Sequence, residues 1–406
     1  MSFFYFSVCH VCKKESTTLK KCSKCKLVHY CSQEHQRQDW RTHKDICKVI
    51  SETNTPLTFS GEGPIEFDKF KIITGALWHL RLGRRLSVSE LEMWMFPKVC
   101  AVCYKGSVNM VCTTCWSVAY CSDTHRIVHE KQHAEFCQKL KLCLEIHQKM
   151  FNQEPEWERM RFDFSKSVVT LPESICDVVK IMEFKSDVDF WKKAVNLIPM
   201  TEFFSSAVNV VYALEKSKFV EKRFAKKSQL VIHTTTTEFY KNMSWRVLME
   251  FLSHWILNLQ GLRIYVISPG VDKEERLEFT LNCDAGRKKQ FNSSVMFLQR
   301  KYHEFISTIP RPDLVVMFNG SLPKLGTVEW SETTSKLLAY KNAFIILTSH
   351  TMEGLKSSVG KFPPPWVTYL KPQENLYGSL RPVRNGKEGS DPVVYCNKFV
   401  SIIAKK

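Results

Sequence analysis

One spacing of cysteine and histidine occurs twice near the start of this chain, and it limits what the chain can fold into. The first copy runs Cys9-x2-Cys12, Cys22-x2-Cys25, Cys31-x3-His35 and His43-x3-Cys47. The second runs Cys100-x2-Cys103, Cys112-x2-Cys115, Cys121-x3-His125 and His133-x3-Cys137. The first pairs are offset by 91 residues and all later ligands by 90. Twelve of the sixteen cysteines fall in this register. Duplicated spacing of this kind reads as metal ligation rather than a disulfide framework. Eight ligands per copy predict two tetrahedral Zn²⁺ sites per copy, and so four ions in the chain.

A Cys-x2-Cys knuckle turns the backbone so that two thiolates aim at one ion. Cys31/His35 and His43/Cys47 are i, i+4 pairs, so each pair lies on one face of a helix. The tract from Ser32 to Ile46 holds neither proline nor glycine and can form one helix or two short ones. Each ion then takes one knuckle and one helical pair. The expected pairing is interleaved: Cys9, Cys12, Cys31 and His35 on one ion, Cys22, Cys25, His43 and Cys47 on the other. The second copy repeats it with Cys100, Cys103, Cys121 and His125, then Cys112, Cys115, His133 and Cys137. Sequential pairing is the alternative that spacing leaves open. Metal, not an apolar core, is expected to hold these short segments folded. His10, His29 and His129 also lie near ligands, and surface or packing roles are expected for them.

The stretch from Tyr30-Cys31-Ser32-Gln33-Glu34-His35-Gln36 through Trp40 and His43 to Cys47 resembles a MYND zinc finger. The family usually has Cys where this chain has His35, and His is an equally good zinc ligand. The resemblance implies a protein-interaction module that holds a short proline-containing peptide in a shallow groove, here lined by Gln36 and Trp40. Tryptophan at such a wall suits stacking against proline. The second copy keeps Tyr120-Cys121-Ser122 and all eight ligands. It has Arg126 where the first has Gln36, and Glu130 where the first has Trp40. An architectural role is therefore expected for it.

The formal charge is +17, which invites a nucleic-acid reading. Metal ligation weakens it, because twelve bound thiolates against four divalent ions remove about four positive charges. The densest basic runs, Lys222-Arg223 with Lys226-Lys227 and Arg287-Lys288-Lys289, have no interleaved aromatics for base stacking. A solvated basic face is expected there. Apolar runs are strand-length, so no membrane span is expected. Met1–Val8 is too short for a signal peptide or an Arg-rich presequence. The expected compartment is cytoplasmic or nuclear.

The order of elements predicts small zinc-stabilised fingers, a helical spacer and a parallel-rich α/β sheet domain. The expected divisions are a finger at 1–48, a linker and helical spacer at 49–99, a second finger-like unit at 100–138, a helical region at 139–227 and an α/β domain at 228–406. In the spacer Ile72, Ile73, Leu77, Leu80, Leu82 and Leu86 form a partly helical apolar pattern with Arg81, Arg84 and Arg85 as a basic edge. It is too apolar for a free tether and is expected to pack on a neighbour. Helices are read at 178–184, 190–197 and 203–214, with a break at Pro199. From residue 228 strands are read at 230–233, 262–268, 313–318 and 343–348, and one or two at 393–403. Helices are read at 245–259, 295–306 and 331–340. Continuous apolar strands alternating with helices imply a parallel-rich sheet covered by helices.

Residues 228–406 resemble the C-terminal domain of the mitochondrial splicing suppressor family. The matching pieces are Leu262 to Pro269, Pro312-Asp313-Leu314 through Asn319-Gly320, Trp330, Thr348-Ser349-His350-Thr351 with Glu353, and Asn375 through Ser379-Leu380-Arg381-Pro382. The resemblance implies translational activation in fungal members and a mitochondrial setting. Strand ends carry His233, Ser268, Asn319 and Thr348–His350, but no nucleotide-binding glycine loop or nucleophile elbow accompanies them. No catalytic residue is assigned. The expected function is a non-enzymatic, zinc-binding adaptor in transcriptional or translational regulation. Its alternatives are a nucleic-acid-binding regulator and a SET-like lysine methyltransferase. Against the latter, the chain has no Asn-His dipeptide of the kind a methyl-donor site uses.

Overall fold

The computed structural model describes residues 3–53, 55–152, 162–163, 171–181, 183–184, 194–216, 229–235, 245, 249, 251–253, 260–268, 271, 273–282, 290–319, 332–333, 335–337, 344–362 and 364–405. The chain forms two compact units. One is Met1–Pro155 with Pro382–Val394, the other Glu156–Arg381 with Tyr395–Lys406.

The first unit repeats one pattern. β1 (Lys20–Lys21) pairs antiparallel with β2 (His29–Tyr30), and α1 (Gln33–Glu52) follows. Between the copies come a 3₁₀ turn (Pro56–Thr58), α2 (Gly63–Leu82) and α3 (Val88–Met95). β3 (Met110–Val111), β4 (Ala119–Tyr120) and α4 (Asp123–Asn152) then repeat the hairpin and helix. Ser32 caps α1 through the amide of His35. Gly83, at φ 63°, ends α2 in the left-handed conformation that glycine adopts without strain. Ser87 and Glu90 close a capping box on α3.

The core of this unit gathers Phe4, Phe6, Leu27, Val28, Tyr30, Ile46, Ile50, Trp78 and Met93. α2 presents Phe67, Lys71, Thr74, Gly75 and Trp78 inward. A Cβ on Gly75 would meet the Trp94 ring at 2.8 Å, so glycine lets α3 approach. Of the patterned residues, Leu82 and Leu86 pack against this core, while three others fall on the far side of the helix. Ile72 and Ile73, read as packing residues, are exposed, as is Leu80. The reason is Lys71, which is buried because its amine reaches Asp68 (3.2 Å), Glu388 (2.6 Å) and the Gly386 carbonyl (2.6 Å). A lysine with partners that distant in sequence is invisible to local periodicity.

The second unit is built on an eight-stranded sheet. In chain order its described elements begin with the short pair β5 (Phe162–Asp163) and β6 (Glu183–Phe184), α5 (Ile175–Ile181) and α6 (Ala194–Lys216). Then follow β7 (Gln229–Thr234), β8 (Gly261–Ile267), β9 (Glu275–Asn282), β10 (Gln290–Leu298), α7 (Tyr302–Phe305), β11 (Leu314–Met317), β12 (Phe344–Ser349), α8 (Met352–Val359) and β13 (Trp366–Glu374). β14 (Pro382–Arg384) and β15 (Val393–Tyr395) form a hairpin that belongs to the first unit as far as Val394, and β16 (Phe399–Lys405) returns to the sheet. The sheet order is β13-β16-β12-β11-β7-β8-β10-β9. β12, β11, β7, β8 and β10 run parallel, while β16, β13 and β9 are antiparallel to their neighbours.

Successive strand residues feed two cores. Leu230, Ile232, Leu262, Ile264, Leu314, Val316, Phe344 and Ile346 join α5, α6, Trp245, Met249 and Phe251 on one face. Tyr265, Ile267, Val315, Met317, Ile345 and Leu347 join Tyr302, Leu337, Leu355 and Phe362 on the other. This double covering explains the continuous apolar strands.

Residues 295–306, read as a helix, begin as the last four residues of the strand β10, and only Tyr302–Phe305 form a helical turn, α7. Ser293, Val295 and Phe297 are buried with less buried residues between them, the period of two that a strand requires. Pro199 does not break its helix but lies inside α6. Met200, Phe204, Ala207, Val208 and Val211 bury one face of that helix, enough to outweigh the ~3 kcal/mol a mid-helix proline costs. Helix 178–184 shifts to α5 and gives way to β6. Of 190–197, only 194–197 are described, inside α6. Of 245–259 and 331–340, the described residues 245, 249, 251–253, 332–333 and 335–337 are helical. The two densest basic runs, Trp330, Pro269 and Gly320 lie outside the described residues. Among the described residues no helix is long and apolar enough to cross a membrane.

Residues 382–394, expected within the α/β domain, belong to the first unit instead. Arg384 explains why. Its guanidinium carbon lies 3.6 Å from the Tyr5 ring centre and 4.0 Å from that of Phe96. It donates to the Phe4 carbonyl at 2.7 Å and pairs with Glu92 at 3.2 Å. Replacing it (Arg384→Ala) removes two cation–π contacts and a charged hydrogen bond at a buried site. The expected loss is roughly 3 kcal/mol in urea unfolding of this unit, with Arg384→Lys recovering only a part.

Candidate metal centres

The sixteen ligand atoms converge into four groups. They are Cys9, Cys12, Cys31 and His35; Cys22, Cys25, His43 and Cys47; Cys100, Cys103, Cys121 and His125; and Cys112, Cys115, His133 and Cys137. Within each group the ligand atoms lie within 4.8 Å of one another. This is the interleaved order, because each hairpin holds one knuckle beside the helical pair of the other half.

All four knuckles share one backbone device. The residue after the second cysteine, Lys13, Lys26, Tyr104 or Trp116, has φ between 56° and 60°. Its amide donates to the carbonyl of the first cysteine at 2.9–3.0 Å. Each first cysteine's own amide donates in turn to a carbonyl of the returning strand: Lys14, Val28, Lys105 and Val118. None of the four left-handed residues is glycine, so each is held there against a steric penalty. Sequence reading missed these positions, although their place one step after each Cys-x2-Cys marks them.

The distances suit zinc. A tetrahedron of thiolates at about 2.3 Å from an ion has edges of about 3.8 Å. Sγ–Sγ separations are 3.8 Å for Cys12–Cys31, 3.7 Å for Cys22–Cys47, 3.7 Å for Cys103–Cys121 and 3.8 Å for Cys112–Cys137. These separations match the edges of such a shell and are far too long for disulfides. The histidines turn one nitrogen into each group. His35 and His125 use Nδ1, at 3.0 and 3.1 Å from Cys31 and Cys121. His43 and His133 use Nε2, at 3.5 and 3.8 Å from Cys25 and Cys115. Thiols and imidazoles are the ligands zinc takes, and four of them close its shell.

Crowding polarises these groups. A hydrogen bond from Cys25, with help from His43 and against burial, drives the Cys22 thiol down to about 3. The same contact pushes Cys25 up. Cys112 falls to about 2 beside Cys115 and His133. At Cys9 burial pushes upward, but backbone amides of Cys12, Cys31 and Val11 outweigh it and leave it at about 7. Each group thus has one thiol pushed toward the thiolate, while burial and the neighbouring thiols push Cys31, Cys47, Cys121 and Cys137 the other way.

The remaining candidates separate clearly. His10 is held neutral by burial, down to about 3, and its amide donates to the His29 carbonyl at 2.9 Å. His29 is buried and outside every ligand group. His129 does not compete for metal; it bonds the Tyr120 hydroxyl at 3.1 Å and stacks on His133. Tyr30, the counterpart of Tyr120, donates to Asp39 at 2.6 Å. Gln36 is half-buried on α1, and Trp40 is 45% exposed and makes a T-shaped contact with the His43 ring, centres 6.4 Å apart. Arg126 and Glu130 are exposed on α4.

In the sheet unit, His233, Asn319, Thr348 and His350 at the strand ends are hydrogen-bonded within the unit. His233 is buried between the Tyr302 hydroxyl (3.1 Å) and the Pro310 carbonyl (3.0 Å). Thr348 accepts from the Asn319 amide and donates to Asn397 Oδ1, and Asn397 returns its amide to Asn319 Oδ1. Asn375 donates to Asn209 Oδ1 and the Asn397 carbonyl, and Asn397 Nδ2 reaches Ser205. His350 bonds the Tyr395 carbonyl, and Glu353 is exposed on the first turn of α8.

Residues 9–47 match the MYND finger family model. SET domain-containing protein 14 of Caenorhabditis elegans is 50% identical over 48 residues, 12% of this chain and 11% of that protein. Histone-lysine N-methyltransferase SMYD1 of Homo sapiens is 42% identical over 43 residues, 11% of this chain and 9% of its own. Egl nine homolog 1 of Homo sapiens is 48% identical over 40 residues, 10% of this chain and 9% of its own. The chain thus spans about a tenth of the length of the curated relatives it matches. No solved structure matches it. The chain therefore carries a MYND-type zinc finger, a metal-binding module of protein interaction.

The two groups of this finger differ in burial. Every ligand of the Cys22 group is buried, whereas Cys31 at the edge of the Cys9 group is exposed. A chelator should strip the Cys9 group first. Cys31→Ser should lower bound zinc by about one ion per chain, read by metal analysis, while the Cys22 group keeps its metal.

Proposed function

We propose that this chain is a non-enzymatic adaptor, stapled by four zinc ions, two in each Cys/His copy. Its first finger holds a short proline-containing peptide of a partner protein against Gln36 and Trp40. The observation that carries this reading is Trp40, a large aromatic left half in water on a helix whose position two metal groups fix. Such a ring offers a flat, preorganised face to proline. The second copy has Glu130 at that place and acts as architecture, a second finger that keeps its metal without the groove. The setting is transcriptional or translational regulation in the cytoplasm or nucleus. The resemblance of residues 228–406 to the mitochondrial splicing suppressor domain supports translation as the process.

Three features favour an adaptor over an enzyme. Four protein ligands per ion leave no open coordination position. The polar strand-end residues are engaged in buried hydrogen bonds. The likeness to SET proteins covers the finger alone. The methyltransferase reading rests on the names of those relatives, and labelled methyl transfer to histones by the purified chain would establish it in place of the adaptor. A basic surface acting on nucleic acid would instead show as sub-micromolar RNA or DNA binding that weakens steeply with salt.

Trp40→Ala decides the peptide reading. Peptide affinity should fall by ~30-fold or more in calorimetry or pulldown, with zinc content unchanged. Partners retained at full strength would make Trp40 a packing residue only.

A further inference from the structure

α2 has two apolar faces, and only one is used. Opposite the buried face, Ile65 is 71% exposed, Ile72 63%, Ile73 68% and Leu80 75%. Lys69 and Ala76 are exposed between them. At 100° per residue these six positions form one stripe about 100° wide along the helix. Soluble proteins rarely leave four such side chains in a row on one helix without a partner.

The stripe has a symmetry of its own. Its positions are balanced about the midpoint between Ile72 and Ile73: Ile65 with Leu80, Lys69 with Ala76, Ile72 with Ile73. A second copy of the helix, running antiparallel across a two-fold axis at that midpoint, sets each residue against the other member of its pair. Ile72 then faces Ile73 of the other copy, and Ile65 faces Leu80. Lys69 meets the small Ala76, which leaves room for its stem to run outward. Charge follows the same symmetry. Glu62 precedes the first turn and Glu66 lies in it, while His79 and Arg81 lie in the last turn with Arg85 just beyond; Arg84 is already paired with Glu90. Antiparallel pairing brings the acidic end of each helix beside the basic end of its mate and opposes the two helix dipoles. Parallel pairing would set like charges together.

We propose that the exposed face of α2 is a self-association surface, where two copies of this chain form a two-fold symmetric dimer about Ile72 and Ile73. An isologous contact of this kind needs self-complementarity, and this stripe has it in both shape and charge. The surface is separate from the peptide groove on α1, so the proposal stands whether or not Gln36 and Trp40 bind a peptide.

Sedimentation equilibrium of the purified zinc-loaded full chain tests it. A concentration-dependent mass approaching twice the 47.3 kDa chain is expected. Ile72→Glu with Ile73→Glu, both at exposed positions, should weaken association by ~30-fold or more while zinc content and circular dichroism stay unchanged. Mixing that variant with one carrying Ile72→Lys and Ile73→Lys should restore a two-chain species, because opposite charges then face each other across the axis. A wild type that stays a monomer at every concentration overturns the proposal, as does a dimer that survives the glutamates. A mixture that stays monomeric overturns the assigned axis. Binding of anionic vesicles by a monomeric wild type, lost in the glutamate variant, would assign the stripe to a membrane surface instead.

Discussion

The geometry of four cysteine knuckles underlies the first unit. Each places a residue with a side chain in the left-handed region, at Lys13, Lys26, Tyr104 and Trp116. Such positions cost on the order of 1 kcal/mol each or more. Metal ligation by the four Cys/His groups would offset this, since a structural zinc site in a small finger contributes on the order of 10 kcal/mol. The two-residue strands β1–β4 could not hold a hairpin alone, because isolated hairpins are marginal even at greater length. A bound ion would fix the knuckle, the knuckle the hairpin, and the hairpin the start of the helix. Ser32 and Ser122 complete the sequence by capping the amides of the ligands His35 and His125.

This dependence explains why the metal groups were legible in the sequence. Ligand spacing is a direct imprint of coordination geometry: two residues between cysteines for a knuckle, three between helical ligands. The interleaving was legible only as one of two options, because the choice depends on which knuckle the hairpin returns to each helix. The inner and outer faces of α2 were not legible. Periodicity rewards Ile72, Ile73 and Leu80, yet the buried face holds Lys71, Thr74 and Gly75. What decides the matter is Glu388, which supplies a charge for Lys71 from the far end of the chain, and Trp94, which needs the missing side chain of Gly75.

In the sheet unit the continuous apolar strands β7, β8, β11 and β12 announced themselves, as doubly covered parallel strands do. The peripheral strands did not. β9 carries Glu275, Arg276 and Glu278, the charged dress of a sheet edge, and no strand is read there. β10 contains Val295-Met296-Phe297-Leu298, a run that a helix could use equally well. Only its neighbours β8 and β9 decide in favour of a strand. The asparagines present a further case. Asn319 and Asn397 both sit at positive φ, where asparagine is tolerated, and both feed the hydrogen-bonded knot that includes Thr348, Asn375 and Ser205. A sequence shows polar residues at strand ends. The fold shows that their polar atoms hold loops together.

The two Cys/His copies share their metal geometry down to the choice of histidine nitrogen, so their differences report on something other than folding. On the exposed helix surface Trp40 becomes Glu130 and Gln36 becomes Arg126. Beneath it, Asp39, which accepts from Tyr30, becomes His129, which bonds Tyr120. The buried tyrosine contact is preserved in kind by a different partner, whereas the aromatic surface is removed outright. Folding requirements therefore account for what the copies share, and they leave the tryptophan unexplained. An exposed indole beside a rigid metal group contributes little to holding the finger together. Its retention in one copy and loss in the other is what a recognition surface confined to the first copy would produce.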